Sequence, residues 1–318
     1  MTASRVIAVD VGGTKLLTGL VDEDGVILKR TVRPTPLGSQ EELVAGLEAG
    51  IGELLEDGVA ALGVGLPSQI DQKRGRAVTS VNIPLAGIDF RDLLKERFGL
   101  PVGIENDANA AALAEHRFGA GKGTRHMVML TLGTGIGGGL ILDGRLYRGA
   151  VGAAGELGHI TIDFDGPPCQ GTCPGRGHLE ALASGTAADG LARKVAAEHP
   201  DGDLGRAAVE GREVDAHLAV ELAAAGPGDA RDVLDRIGFY LGVGIADYVN
   251  IFNPELVVIG GGFARAGDLL FEPARKVVAE RALVLSRDLV HIVPALLGVE
   301  AGLIGASLVG FEALEQAP

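Results

Sequence analysis

The chain has no tryptophan and only 4% aromatic residues, so it offers few flat side chains as stacking platforms for exposed bases. It also has no apolar run near the roughly 20 residues that a membrane helix needs. Met1 to Arg5 leads straight into a strand pattern without the charged and apolar regions of a secretory signal. Basic residues are in deficit: 28 Lys and Arg against 42 Asp and Glu leave a formal charge of −14, which repels polyphosphate backbones. Nucleic acid and membrane are therefore excluded as expected partners, and a cytoplasmic location is expected. In that reducing compartment the two cysteines serve a metal better than a disulfide. Charge runs, low-complexity tracts and flexible linkers are missing as well, so any lobes must meet at ordered crossovers.

What remains is a globular composition, 47% hydrophobic and 22% charged, with 50 glycines suited to tight backbone turns. At 318 residues the chain exceeds one comfortable core, and two lobes are expected.

Both cysteines fall in one turn-rich stretch from Gly155 to Gly185, at Cys169 and Cys173, with His159 upstream and His178 downstream. Two cysteines separated by three residues, completed by two histidines, supply four N/S ligands for a closed structural Zn²⁺ site. The alternative is a pair of ordinary thiols beside surface histidines. Glu156 and Glu180 flank the same stretch, so the fold of this knot brings both acids toward one place, where a substrate is sought.

Two glycine-tipped hairpins are legible elsewhere. In the first, the apolar run from Val6 to Asp10 is followed by Val11-Gly12-Gly13-Thr14-Lys15 and a second apolar run to Val21. A Walker A loop would open a helix after its lysine, whereas strand pattern follows here, so that motif is rejected. The amides of Gly12, Gly13 and Thr14 can still cradle a phosphate, and Asp10 is placed to hold Mg²⁺ through water. The second hairpin repeats the design: Met127 to Leu132, then Gly133-Thr134-Gly135-Ile136-Gly137-Gly138-Gly139, then Leu140 to Leu142. Gly133, Gly135 and Gly138 spell G-x-G-x-x-G, but a dinucleotide site needs a helix next, and a strand follows. Two glycine hairpins gripping one triphosphate is the better account.

Between them, Ser39 and Glu42 form a possible capping box ahead of a helix with Leu43, Leu47, Ile51 and Leu54 at helical spacing. The strand Val102 to Ile104 ends in Glu105-Asn106-Asp107, followed by an alanine-rich helix to about Phe118. The end of such a strand is where ligands bind in parallel α/β units. Asp107 either caps that helix or accepts a proton from a substrate hydroxyl. Downstream, helices are expected over 185–198, 204–225 and 230–250, then a buried strand from Glu255 to Ile259 and the turn Gly260-Gly261-Gly262. That turn either admits a nucleotide base or serves packing alone. His291 to Pro294 reads as a last strand and Ala301 to Leu314 as a closing helix.

Over nearly its whole length the chain resembles the ROK sugar kinases (repressor, open reading frame, kinase), and within them bacterial glucokinases. Asp10 to Lys15 looks like the family's first phosphate loop, Gly133 to Gly139 like its second, and Gly260-Gly261-Gly262 like its adenosine loop. Glu105-Asn106-Asp107 resembles its catalytic segment, which implies Asp107 as general base and Asn106 on sugar hydroxyls. Ala154-Gly155-Glu156-Leu157-Gly158-His159 resembles A-G-E-x-G-H, in which glutamate and histidine hold the sugar and the histidine also binds zinc. Glu180 and Asn82 fall where the family has further sugar ligands. The resemblance implies a two-lobed actin-like and hexokinase-like α/β fold of the ribonuclease H type, with residues 1–118 and 301–318 in the small lobe and 119–300 in the large one. It further implies MgATP and a structural zinc, a homodimer or higher homo-oligomer, and transfer of phosphate to the 6-hydroxyl of glucose.

Two stretches depart from the family pattern. Its zinc signature usually reads C-x-C-G-x-x-G-C-x-E, whereas here the first cysteine is displaced and His178 stands where a third is expected. The N-L-P-G-W region reads Asn82-Ile83-Pro84-Leu85-Ala86, and Ser68 follows Pro67 where glycine is common. Both changes bear on the choice of sugar, so fructose, mannose, N-acetylmannosamine and N-acetylglucosamine stand as alternatives to glucose. Sugar-responsive ROK repressors and actin-like ATPases are the rival classes.

Overall fold

The computed structural model describes residues 4–80 and 83–317. In chain order the elements are β1 (Arg5–Val11), β2 (Lys15–Asp22), β3 (Ile27–Pro34), α1 (Gln40–Leu54), β4 (Val59–Leu66), β5 (Gln69–Asp71), β6 (Arg76–Thr79), α2 (Phe90–Phe98), β7 (Val102–Asn106) and α3 (Asp107–Phe118). They continue with β8 (Met127–Leu132), β9 (Ile136–Leu142), β10 (Arg145–Leu146), α4 (Leu179–Ala183), α5 (Gly185–Glu198), α6 (Asp203–Val209), α7 (Ala216–Ala225) and α8 (Asp229–Phe252). The chain closes with β11 (Leu256–Gly260), α9 (Asp268–Arg281), α10 (Val284–Leu289), β12 (His291–Pro294) and α11 (Ala301–Glu315). Among the described residues, no helix is long and apolar enough to cross a membrane.

The chain forms two compact units, Met1–Gly123 with Gly139–Gly155 and Leu296–Pro318, and Thr124–Gly138 with Glu156–Ala295. The expected boundaries near 118 and 301 left 139–155 in the large lobe. The segment instead belongs to the first unit, because Arg148 is bound there by Glu105 and Glu312.

The first unit is built on a sheet of order β3-β2-β1-β4-β7. β1, β4 and β7 run parallel, while β2 and β3 are antiparallel additions. Strand alternation sends successive residues of β1 to opposite faces. Ile7, Val9 and Val11 enter one core with Leu43, Leu47 and Ile51 of α1 and Phe90 and Leu94 of α2. Ala8 enters another with Leu17, Val21, Leu303 and Ala306. α1 starts where its spacing predicts, with the Ser39 Oγ accepting from the Glu42 amide at 3.2 Å.

On the second face the backbone of α11 lies directly on β4. A Cβ at Gly63 would overlap the Ala306 carbonyl oxygen, and one at Gly305 would overlap the Ala110 carbonyl of α3. Backbone has no rotamer with which to give way. Gly63→Ala should therefore push α11 off the sheet and cost about 3 kcal/mol, read as a lower urea midpoint in chemical denaturation.

The second sheet has the order β10-β9-β8-β11-β12, with β8, β11 and β12 parallel. The 24-residue α8 buries Val233, Leu234, Ile237, Leu241, Ile245 and Val249 along one stripe. It stops at Asn253, in the left-handed region at φ 46°, whose amide bonds the Val249 carbonyl.

The expected single helix over 204–225 is two, α6 and α7. Gly211 at φ +83° breaks the pattern, and the Asp215 side chain caps α7 by accepting from the Leu218 amide at 2.8 Å. Sequence reasoning also missed α9, which contains Pro273. Proline breaks most helix interiors, but this one packs over Gly238 of α8, where a Cβ would collide with its ring.

Candidate active site

Each unit presents part of its candidate residues at the C-terminal ends of parallel strands, the edge at which α/β sheets bind ligands. In the first unit the pairings Asp10↔Gly65 and Gly65↔Glu105 set Asp10 and Glu105 in register two strands apart, or about 10 Å at ordinary strand spacing. Asp10 follows Val9 in the alternation and so points to the α11 side, against Gly302 in the first turn of that helix. No protein donor reaches its carboxylate among the described residues. Burial pushes Asp10 up from 3.8 to about 6, with Lys15 offsetting only part of the shift. A metal cation is the kind of partner such a carboxylate lacks.

The turn after β1 is closed by the Gly12 amide on the Lys15 carbonyl at 2.9 Å and braced by Thr35, whose Oγ1 donates to the Gly12 carbonyl at 2.7 Å. Gly13, Thr14 and Lys15 are exposed at its tip.

Asn106 is the N-cap of α3. Its Oδ1 accepts from the amides of Ala108 at 3.0 Å and Asn109 at 3.1 Å, and its Nδ2 donates to the Ser68 carbonyl at 3.4 Å. Asp107 is half-buried at the first helical position, with its Oδ1 accepting from the Ala108 amide at 2.8 Å. Capping therefore falls mainly on Asn106, which answers the reading of Asp107 as a cap. Asn82 lies outside the described residues.

In the second unit, β8 and β11 end side by side, with Gly260 paired to Thr131. The turn Gly133-Thr134-Gly135 is closed by the Gly133 amide on the Gly135 carbonyl at 2.9 Å, and α5 begins against it through the Gly185 amide on the Gly133 carbonyl at 2.8 Å. The tip is shorter than its glycine content suggests, since β9 already starts at Ile136. Gly261, at φ +91°, packs on Leu132, whose backbone leaves no room for a Cβ. Gly261 and Gly262 are exposed, and Gly260 is buried.

Glu180 sits against the same turn. Its Oε2 accepts from the Ile136 amide at 2.8 Å, and a Cβ at Gly135 would collide with that carboxylate. The short 3-10 turn Leu157–His159 carries the imidazole, and the His159 Nε2 lies 3.8 Å from the Glu156 Oε2. Behind this turn the buried Tyr248 hydroxyl donates to the Leu157 carbonyl. Sequence reasoning passed over Tyr248 because it lies inside an amphipathic helix pattern.

His159, Cys169, Cys173 and His178 converge, with their ligand atoms all within 4.8 Å of one another. The two Nδ1 atoms are 3.3 Å apart; His159 Nδ1 is 3.6 Å from each Sγ, and His178 Nδ1 is 3.6 Å from the Cys173 Sγ. Tetrahedral zinc with ordinary bond lengths sets N···N at about 3.3 Å and N···S at about 3.6 Å. The residues thus fit a zinc ion, and the displaced Cys169 and the substituted His178 both belong to the cluster. Burial, then the neighbouring Cys173 and Glu180, pushes the Cys169 thiol up to about 12. Burial and the adjacent His159 hold His178 below its ordinary value, so it stays neutral and able to ligate.

With this geometry in place, the comparisons with known proteins are specific. The ROK family model matches residues 6–311. A glucokinase of Thermotoga maritima is 39% identical over 311 residues, covering 96% of the chain and 97% of that protein. A crystal structure of a ROK family glucokinase from Streptomyces griseus in complex with glucose and AMPPNP is 35% identical, with a TM-score of 0.83 over 97% of the chain and 100% of that one. A ROK family transcriptional regulator, homologous to the E. coli MLC protein, is 29% identical with a TM-score of 0.87, over 98% of the chain and 79% of that one.

Proposed function

The chain belongs to the ROK family, and we propose that it is a sugar kinase transferring the γ-phosphoryl group of ATP to the 6-hydroxyl of glucose. The fold is the actin-like sugar kinase fold of its glucokinase and hexokinase neighbours. The observation that carries the reading is the grouping of Glu156, His159 and Glu180 beside the Gly133–Gly135 turn. Hydrogen-bonding side chains suited to sugar hydroxyls thereby stand next to a turn suited to phosphate.

In the proposed reaction the Asp107 carboxylate takes the proton of the 6-hydroxyl as that oxygen bonds to the γ-phosphorus. The bond from the γ-phosphorus to its bridging oxygen breaks, and ADP carries the electron pair away. Asn82, Asn106, Glu156, His159 and Glu180 orient the remaining hydroxyls, and orientation is the main demand of phosphoryl transfer. The loops at Gly12–Lys15 and Gly133–Gly135 hold the phosphates, and the turn Gly260–Gly262 admits the adenosine. Asp10 would hold Mg²⁺, which supplies neutralisation of the phosphate charge. The zinc ligands would be His159, Cys169, Cys173 and His178, a full set that leaves the ion a structural role. With Nδ1 of His159 toward the metal, Nε2 is the atom left for Glu156 and the sugar.

A coupled ADP assay over a panel of hexoses tests the reading. Glucose should give the highest kcat/KM, and equal or better turnover with N-acetylmannosamine or another hexose would reassign the acceptor. A second reading, a sugar-responsive regulator, is favoured by the 0.87 TM-score to the transcriptional regulator; it requires sugar binding without ATP-dependent turnover.

A pH dependence follows from Asp10. Its folded-state value of about 6 lies above the ordinary 3.8, so the free protein protonates it on acidification through that range. Mg²⁺ needs the ionised form. The kcat/KM for MgATP should therefore fall below about pH 6. Excess Mg²⁺ should move the limb to lower pH, because metal and proton compete. A profile indifferent to Mg²⁺ would remove Asp10 from this role.

A further inference from the structure

Among the described residues β7 is an edge strand of its sheet, so no strand pairs with the outer side of the segment that delivers Asn106 and Asp107. Side chains do so instead. Glu105, wholly buried, uses Oε1 to accept from the Asn106 amide at 2.9 Å and from the Asn109 Nδ2 at 3.1 Å. Its Oε2 accepts from the Arg148 Nε at 2.6 Å, and the Arg148 Nη2 donates to Glu312 of α11 at 2.6 Å. Burial works against the Arg148 charge, but the two carboxylates outweigh it and the guanidinium titrates above its ordinary value. One residue earlier the Ile104 carbonyl accepts from the Gln72 Nε2 at 2.9 Å.

A charged pair in an otherwise apolar strand is weak evidence for stability, since apolar residues of similar volume often serve as well. It does supply fixed direction at both ends. We infer that Glu105 and Arg148 are positioning residues for phosphoryl transfer, an ionic brace that runs from half-exposed Glu312 of α11 through Arg148 to buried Glu105 and the first turn of α3, and fixes how Asp107 meets the sugar hydroxyl. The inference rests on the reading of Asp107 as the base.

The brace can be tested by filling its gap. Arg148 lines a cavity of about 600 Å³ with Gln72, Arg91, Ile104 and Glu312, so Arg148→Ala leaves a space open to small solutes. A misplacement of about 1 Å can cost about 100-fold in turnover. Arg148→Ala should lower kcat by about that factor while leaving KM for ATP within about twofold. Millimolar ethylguanidinium should restore part of kcat to Arg148→Ala and do nothing for the wild-type protein or Asp107→Ala. Arg148→Lys, which keeps the charge and serves if the alanine variant does not fold, should fall between. Three results would overturn the inference: wild-type kcat in folded Arg148→Lys, a loss that merely follows the folded fraction by circular dichroism, or no response of folded Arg148→Ala to ethylguanidinium. Asp107→Ala is measured beside them. Wild-type kcat there would sink the base assignment and this inference together, whereas loss there with full activity in both Arg148 variants would sink only the inference.

Discussion

Replacing Asp107 by alanine should lower kcat about 1,000-fold and leave the protein folded and able to bind its sugar. The cap geometry makes the two effects separable. The Asp107 Oδ1 accepts from the Ala108 amide, but that amide also donates to the Asn106 Oδ1 at 3.0 Å, and the Asn109 amide donates to Asn106 as well. The N-terminus of α3 therefore keeps its cap, and the stability loss should stay below about 1 kcal/mol. Asp107→Asn should match the alanine variant, because the amide keeps the shape and cannot take the proton. Sugar binding measured by calorimetry and turnover measured on the same preparation check both halves. A variant with wild-type kcat removes Asp107 from the role.

Removing the proposed zinc should act on the sugar more than on the nucleotide. The Cys169 Sγ lies 3.7 Å from the Glu180 Oε1, and His159 joins the cluster through Nδ1 while its Nε2 faces Glu156. Two of the candidate sugar ligands are thus tied to the metal ligands. Cys173→Ser or a chelator should raise KM for glucose at least about tenfold and leave KM for ATP nearly unchanged. Metal analysis of the purified protein should give one zinc per chain. Because the Cys169 thiol is neutral at pH 7, with its titration near 12, zinc loading must release its proton, and affinity should rise with pH. Unchanged sugar KM after the metal is stripped, or a protein that holds no zinc, would contradict the assignment.

Much of this site was legible because its features are local. Glycine tips, a strand ending in Asn106-Asp107, and cysteines with three residues between them all declare themselves within a few positions, and the structure brings the four candidate ligand residues together. The long-range partners were not legible. Glu105 was read only as the first letter of a motif, although an acid in an apolar strand signals that a distant cation must pair with it. Nothing in Tyr147-Arg148-Gly149 says that the cation is Arg148. The same limit hid α9, since Pro273 looks like a terminator until Gly238 is seen beneath it. It also moved residues 139–155 between units, because membership depends on contacts made in space.

The central claim is phosphoryl transfer from ATP to a sugar hydroxyl. Phosphorus NMR of the protein with MgATP and glucose follows it directly. The account predicts ADP and a glucose 6-phosphate ester appearing in equal amounts, and neither from ATP alone. Inorganic phosphate released at the same rate with or without glucose, or glucose bound with no ester formed, would contradict it.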